Sequence, residues 1–133
     1  MTTRDSIRRA MHRREDEITF LRQRLLVLEK VIHELETCPT NLSQADINWL
    51  DVHRYEWELA DELLHARHTE PLGETLQRRL AMAERLAREL APKSGDRNKH
   101  SAAYRVAEKA RLALNEMLNH WWAWLAQPLK TKF

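Results

Sequence analysis

The sequence predicts an all-α protein, a four-helix bundle-like domain whose long first helix is of the coiled-coil type. Glycine and proline are scarce, with 2 and 4 copies among 133 residues, and such scarcity is typical of long helices. Apolar residues also recur at spacings of three and four residues, the period of an amphipathic helix. We therefore expect a single domain over residues 1–133, with helices at about 4–37, 44–67, 74–91 and 102–127.

The first helix carries the clearest pattern, a stripe of apolar residues in heptad spacing. At a rise of 1.5 Å per residue it would be about 50 Å long, so it should overhang a compact domain of this size. Such a stripe favours a second helix alongside it, and we expect a homodimer that is either parallel or antiparallel. The predicted interface comprises Ile7, Met11, Ile18, Leu21, Leu25, Leu28, Ile32 and Leu35.

Charged residues beside this stripe favour the parallel arrangement. Glu17 with Arg22, and Arg24 with Glu29, would attract each other across two parallel copies of the helix. Arg14 is the one polar residue within the stripe, and we expect it to weaken the packing at the start of the helix.

The remaining helices are indicated by their caps and their apolar faces. Ser43 is a suitable N-cap for the second helix, whose apolar residues reach so far round that we expect it in the centre of the bundle. Pro92 ends the third helix, where Met82 and Leu86 lie beside the main apolar face. The fourth helix has an apolar seam with a small first half and a bulky second half: Ala103, Ala107, Ala110, Leu114, Met117, Trp121 and Trp124.

The sequence contains no motif that indicates catalysis. Two glycines cannot build a glycine-rich phosphate loop, and we expect a protein that is not an enzyme and needs no cofactor. Glu62 and His65 have the spacing of half a di-iron site, but a matching second motif is missing, so we expect no metal. The lone Cys38 follows the end of a helix, whose dipole should raise the pKa of its thiol.

Localisation and general affinity are bounded by charge and hydropathy. The net charge of +2 does not force an affinity for nucleic acid. A single cysteine without a secretion signal fits a reducing compartment, so we expect a cytoplasmic protein. A run of about eighteen apolar residues is missing, and we expect no membrane partner.

Candidate partner-binding residues lie at two places. A cationic cluster near the start of the first helix comprises Arg8, Arg9, Arg13 and Arg14. The cluster has four interpretations. It is solvated at the helix end, it is neutralised by the acidic second helix, it contacts an acidic protein surface, or it contacts phosphates of a nucleic acid. Trp122 points away from the seam of the fourth helix, so it covers a neighbouring helix or anchors a partner protein.

These observations favour a non-enzymatic protein–protein interaction module, an adaptor or inhibitor that binds a macromolecular complex. Small Arg-rich helical proteins without catalytic motifs are typical of phages and mobile elements, so an inhibitor of host defence is one concrete form of this expectation. The alternative is a nucleic-acid-binding regulator that uses the Arg-rich N-terminal helix.

Overall fold

The computed structural model describes residues 3–66, 70–91 and 102–127, apart from the side chains of residues 6–11. The described residues form four α-helices: α1 over Thr3–Glu36, α2 over Gln44–His65, α3 over Leu72–Leu90 and α4 over Ala102–Leu125. The all-α, bundle-like fold class is thereby confirmed. Each helix begins and ends within about two residues of the predicted bounds, a difference that fraying of helix ends accounts for.

α2 and α4 form the centre of the bundle. α1 packs mainly on α2, α3 packs mainly on α4, and α2 and α4 pack on each other. The largest fully buried apolar side chains are Leu21, Leu28, Leu63, Leu76 and Met117. Phe20 of α1 packs edge-on against Trp121 of α4, with ring centroids 5.0 Å apart, so α1 also contributes to the core beside α4.

The heptad stripe of α1 packs on the protein's own α2, in antiparallel orientation. Leu21 and Leu28 are fully buried within the chain. Their assignment to a dimer interface is therefore corrected, because they have no surface left for a second copy. The other predicted interface residues with described side chains are half-buried, and a dimer through them stays a prediction: Ile18, Leu25, Ile32 and Leu35. The side chains of Ile7 and Met11 lie outside the described part.

Charged residues beside the stripe also act within the chain. The Arg24 guanidinium donates two hydrogen bonds to the buried Glu56 carboxylate of α2, with Nε–Oε2 and Nη2–Oε1 distances of 2.5 and 3.0 Å. Glu29 accepts a hydrogen bond of 3.2 Å from the Trp57 indole N–H. The predicted attraction of Arg24 and Glu29 across two parallel copies is thus wrong in this fold, because both side chains engage α2.

Two polar residues of α1 cap the ends of neighbouring helices. Arg14 donates hydrogen bonds of 3.2 Å to the carbonyl oxygens of Leu63, Leu64 and Ala66 at the end of α2. The Glu17 carboxylate accepts a bond of 2.7 Å from the Leu72 amide at the start of α3. Each charge opposes the partial charge of the helix end that it meets. Arg14 therefore stabilises the packing of α1, contrary to the expectation that it weakens it.

Candidate functional site

An apolar groove opens between α2 and α3, with the first half of α4 as its floor; we refer to it as the α2–α3 groove. Its volume is about 610 Å³. The α2 wall consists of Tyr55 and Leu59. The α3 wall and the α4 floor include Arg79, Met82, Ala83, Leu86, Leu90, Ala103, Val106, Ala107, Ala110 and Leu114. Among the described residues that line the groove, Tyr55 and Arg79 alone carry polar side-chain groups, so an apolar occupant fits it.

The α3 wall is open because the apolar surface of α3 is wider than its buried face. Leu76, Ala83 and Ala87 are buried. Met82 and Leu86 lie on the flank of that face and remain 59% and 48% exposed. A cluster of large exposed apolar side chains marks an interaction surface more often than scattered single ones do.

The floor of the groove is continuous with the hydrophobic core. One stripe of α4 passes through Ala103, Ala107, Ala110, Leu114, Met117, Trp121 and Trp124. In its second half, Trp121 and Trp124 are buried and pack against Phe20 of α1. The first half of the stripe offers only the methyl groups of alanine, and the described residues leave the space above them, between α2 and α3, unfilled. The groove is therefore an unfilled continuation of the core.

The two edges of the groove differ in charge. A row of acids follows the outer edge of α2 at steps of seven and four, on the same flank as Tyr55: Asp51, Glu58 and Glu62. The outer edge of α3 is mixed in charge: Arg78, Arg85 and Glu89. Arg79 donates a hydrogen bond of 2.8 Å to Glu62, which links the two walls at one end of the groove.

A second cleft of about 690 Å³ lies between the first halves of α2 and α4. Its lining includes Asp51, Arg105, Glu108 and Lys109 beside Val52 and Leu112. An apolar partner in this cleft would remove water from these charged side chains, and that desolvation opposes binding. The cleft is therefore a less favourable site for an apolar partner than the α2–α3 groove.

The predicted arginine cluster is only partly described. Arg13 lies 3.8 Å from the Glu17 carboxylate and Arg14 lies 3.6 Å from it. Arg14 is further occupied by the carbonyl oxygens at the end of α2, so it is not free to hold a partner. The side chains of Arg8 and Arg9 lie outside the described residues, and their role in partner binding stays a prediction.

Trp122 is 44% exposed near the end of α4. Its ring edge covers the first turn of α3, since the Cη2 atom lies 2.8 Å from the position that a Cβ on Gly73 would take. Trp122 thus covers a neighbouring helix, which is one of the two predicted alternatives, and its role as an anchor for a partner protein stays a prediction.

The exposed Cys38 thiol has a local hydrogen-bond partner. Thr40 forms a hydrogen bond of 3.3 Å with the exposed Cys38 thiol, and this bond lowers the pKa of the thiol. The expected upward shift is wrong, because this local hydrogen bond dominates. Within the described ranges, no group of three or more His, Cys, Asp or Glu side chains is placed to hold a metal ion. None of the described helices has the length and hydropathy to cross a bilayer.

No protein-family model, no curated protein and no solved structure matches this chain at a significant level. The α2–α3 groove was not foreseen from the sequence. Two signals pointed to it: Met82 and Leu86 widen the apolar face of α3, and the seam of α4 begins with alanines. Neither signal indicates which helix lies opposite, so only the three-dimensional arrangement reveals that the described part of the chain leaves the space between α2 and α3 unfilled.

Proposed function

We propose that the protein is a non-enzymatic protein–protein interaction module, an adaptor or inhibitor whose α2–α3 groove receives a helix from another protein. The observation that carries this proposal is the continuity of the groove with the core. Along α4, buried indoles give way to alanines while the flanking walls remain apolar. A helix laid in the groove would complete the bundle in the same way as the protein's own side chains do at the other end.

The dimensions of the groove favour a helix as its occupant. From Arg79 to Leu90 the α3 wall rises by about 17 Å, which corresponds to three helical turns. A helix satisfies its own backbone hydrogen bonds, whereas an extended segment would bring unpaired amides and carbonyls against the apolar floor of the groove. The alanine floor also lets a helix axis approach α4 closely, because interaxial distances depend on the side chains at the contact.

A matched pair of variants tests this function. Leu86→Glu places a charge in the groove, and Leu26→Glu makes the same change on α1, where Leu26 is 67% exposed and does not line the groove. Both variants should keep the helical circular dichroism of the parent, because both side chains are already exposed. Partner proteins captured from the cells that express this protein should be retained by Leu26→Glu and lost by Leu86→Glu.

The opposite outcome would refute the proposal. If Leu86→Glu, and the neighbouring change Met82→Glu, both retain every partner that the parent captures, the groove is not the binding site. Loss of partners by Leu26→Glu alone would assign binding to the outer face of α1.

A further inference from the structure

We infer that the partner helix is amphipathic and basic: it places apolar residues on the floor of the α2–α3 groove and Lys or Arg side chains against the acidic edge of α2. This inference rests on the proposed function and specifies the chemistry of its partner. The groove alone requires only an apolar stripe, whereas the edges of the groove determine which charges can flank that stripe.

The acidic edge of α2 faces one side of the helix only. Asp51, Glu58 and Glu62 lie on one flank of the helix, the flank that Tyr55 turns towards the groove. Within the described part of α2 there are six acids and one arginine, Arg54. One of the acids, Glu56, is buried against Arg24 on the opposite side. On the groove flank, Glu62 is paired with Arg79 and Asp51 lies 3.8 Å from Arg54, which Glu36 also contacts, so Glu58 and the partly paired Asp51 carry the negative charge of this edge.

The α3 edge compensates only part of this field. Arg79 is bonded to Glu62 and neutralises that member of the acidic edge, whereas Arg78 is bonded to Glu70, which does not belong to it. Arg85 is offset by Glu89 on the same edge. A helix in the groove therefore meets a negative wall on one side and a nearly neutral wall on the other, and like charge along its α2 flank would oppose binding.

Two synthetic helical peptides of about 18 residues test the inference directly. Both carry the same leucine stripe at i, i+4, i+7 and i+11, with lysines on both flanks in one peptide and glutamates on both flanks in the other. Binding is measured by fluorescence anisotropy at low salt, where surface charges are least screened. The lysine peptide should bind roughly tenfold more tightly than the glutamate peptide.

Charge variants show whether the preference arises at the groove. Glu58→Lys reverses one charge on the acidic edge, and Glu34→Lys makes the same change in net charge at an exposed position of α1. Glu58→Lys should reduce the preference for the lysine peptide about threefold, while Glu34→Lys leaves the preference within about 1.5-fold of the parent.

The outcomes distinguish a failure of the basic-partner inference from a failure of the proposed function of the groove. Equal binding of both peptides, abolished by Leu86→Glu, would overturn the basic partner and leave the groove as a binding site. Failure of both peptides to bind, or binding that Leu86→Glu does not weaken, would overturn both. If sedimentation of the protein alone reveals a dimer that Leu86→Glu dissociates, a second copy is the occupant and the inference of a separate basic helix fails.

Discussion

Removing the carboxylate of Glu56 should destabilise the protein more than any surface change described above. Glu56 is fully buried in α2, and it accepts both hydrogen bonds from Arg24, whose side chain is only 10% exposed. In Glu56→Leu the guanidinium keeps its position on α1 but loses its counter-charge and both acceptors. A buried guanidinium without a counter-charge or hydrogen-bond acceptors lowers the free energy of unfolding strongly.

The size of the effect follows from the burial of both partners. Breaking a buried ion pair by removing one member costs about 3–5 kcal/mol, whereas replacing both members by apolar residues is often neutral. We therefore expect Glu56→Leu to lower the free energy of unfolding by about 3 kcal/mol or more, and Arg24→Met combined with Glu56→Leu to lie within about 1 kcal/mol of the parent. The coupling between the two sites should thus exceed about 2 kcal/mol.

Urea unfolding followed by circular dichroism measures these free energies. Glu36→Gln is the control, because Glu36 forms a pair of 3.2 Å with Arg54 at the surface, where both side chains are about half exposed. That change should cost less than about 1 kcal/mol. If Glu56→Leu costs no more than Glu36→Gln, or if the double variant is as unstable as Glu56→Leu, the reasoning from burial is refuted.

Two further predictions concern other parts of the molecule. Gly73→Ala should destabilise the parent, because the added Cβ would lie 2.8 Å from Trp122 Cη2. In a Trp122→Ala background the clash is removed and the helix gains from alanine, so the same change should be about 1 kcal/mol more favourable there. Identical shifts of the urea midpoint in the two backgrounds would contradict this. Burial lowers the pKa of His53, so the unfolded chain takes up the proton first and stability should decline as the pH falls below about 6.5. His53→Gln should flatten the dependence of the unfolding free energy on pH between about 7.5 and 5.5, and an unchanged slope would assign it to other groups.

The course of each helix could be predicted because the signals are local. The helix end at Pro92 and the cap at Ser43 belong to short stretches of sequence, and the apolar spacing within each helix needs no knowledge of its neighbours. The Ser43 hydroxyl indeed accepts a hydrogen bond of 3.1 Å from the Asp46 amide at the start of α2.

Pairing between helices could not be predicted in the same way. A heptad stripe predicts that a helix packs against an apolar neighbour. It does not indicate whether that neighbour is a second copy or a later segment of the same chain. Arg14 and Glu17 illustrate the difficulty: Arg14 lies within the apolar stripe and Glu17 beside it, and both have partners about fifty residues away. The α2–α3 groove was missed for the same reason, because it exists only where no described helix packs beside Met82.

The methyl group of Met82 offers the most direct test that the α2–α3 groove is the docking surface. The chain has four methionines, so a ¹³C-methyl spectrum of methionine-labelled protein is simple, and Met82→Leu assigns the signal. On titration with the lysine-flanked peptide, the Met82 signal should shift saturably with the same affinity as anisotropy reports, while the Leu26→Glu variant behaves like the parent. Saturable peptide binding that leaves the Met82 signal unmoved would contradict the account.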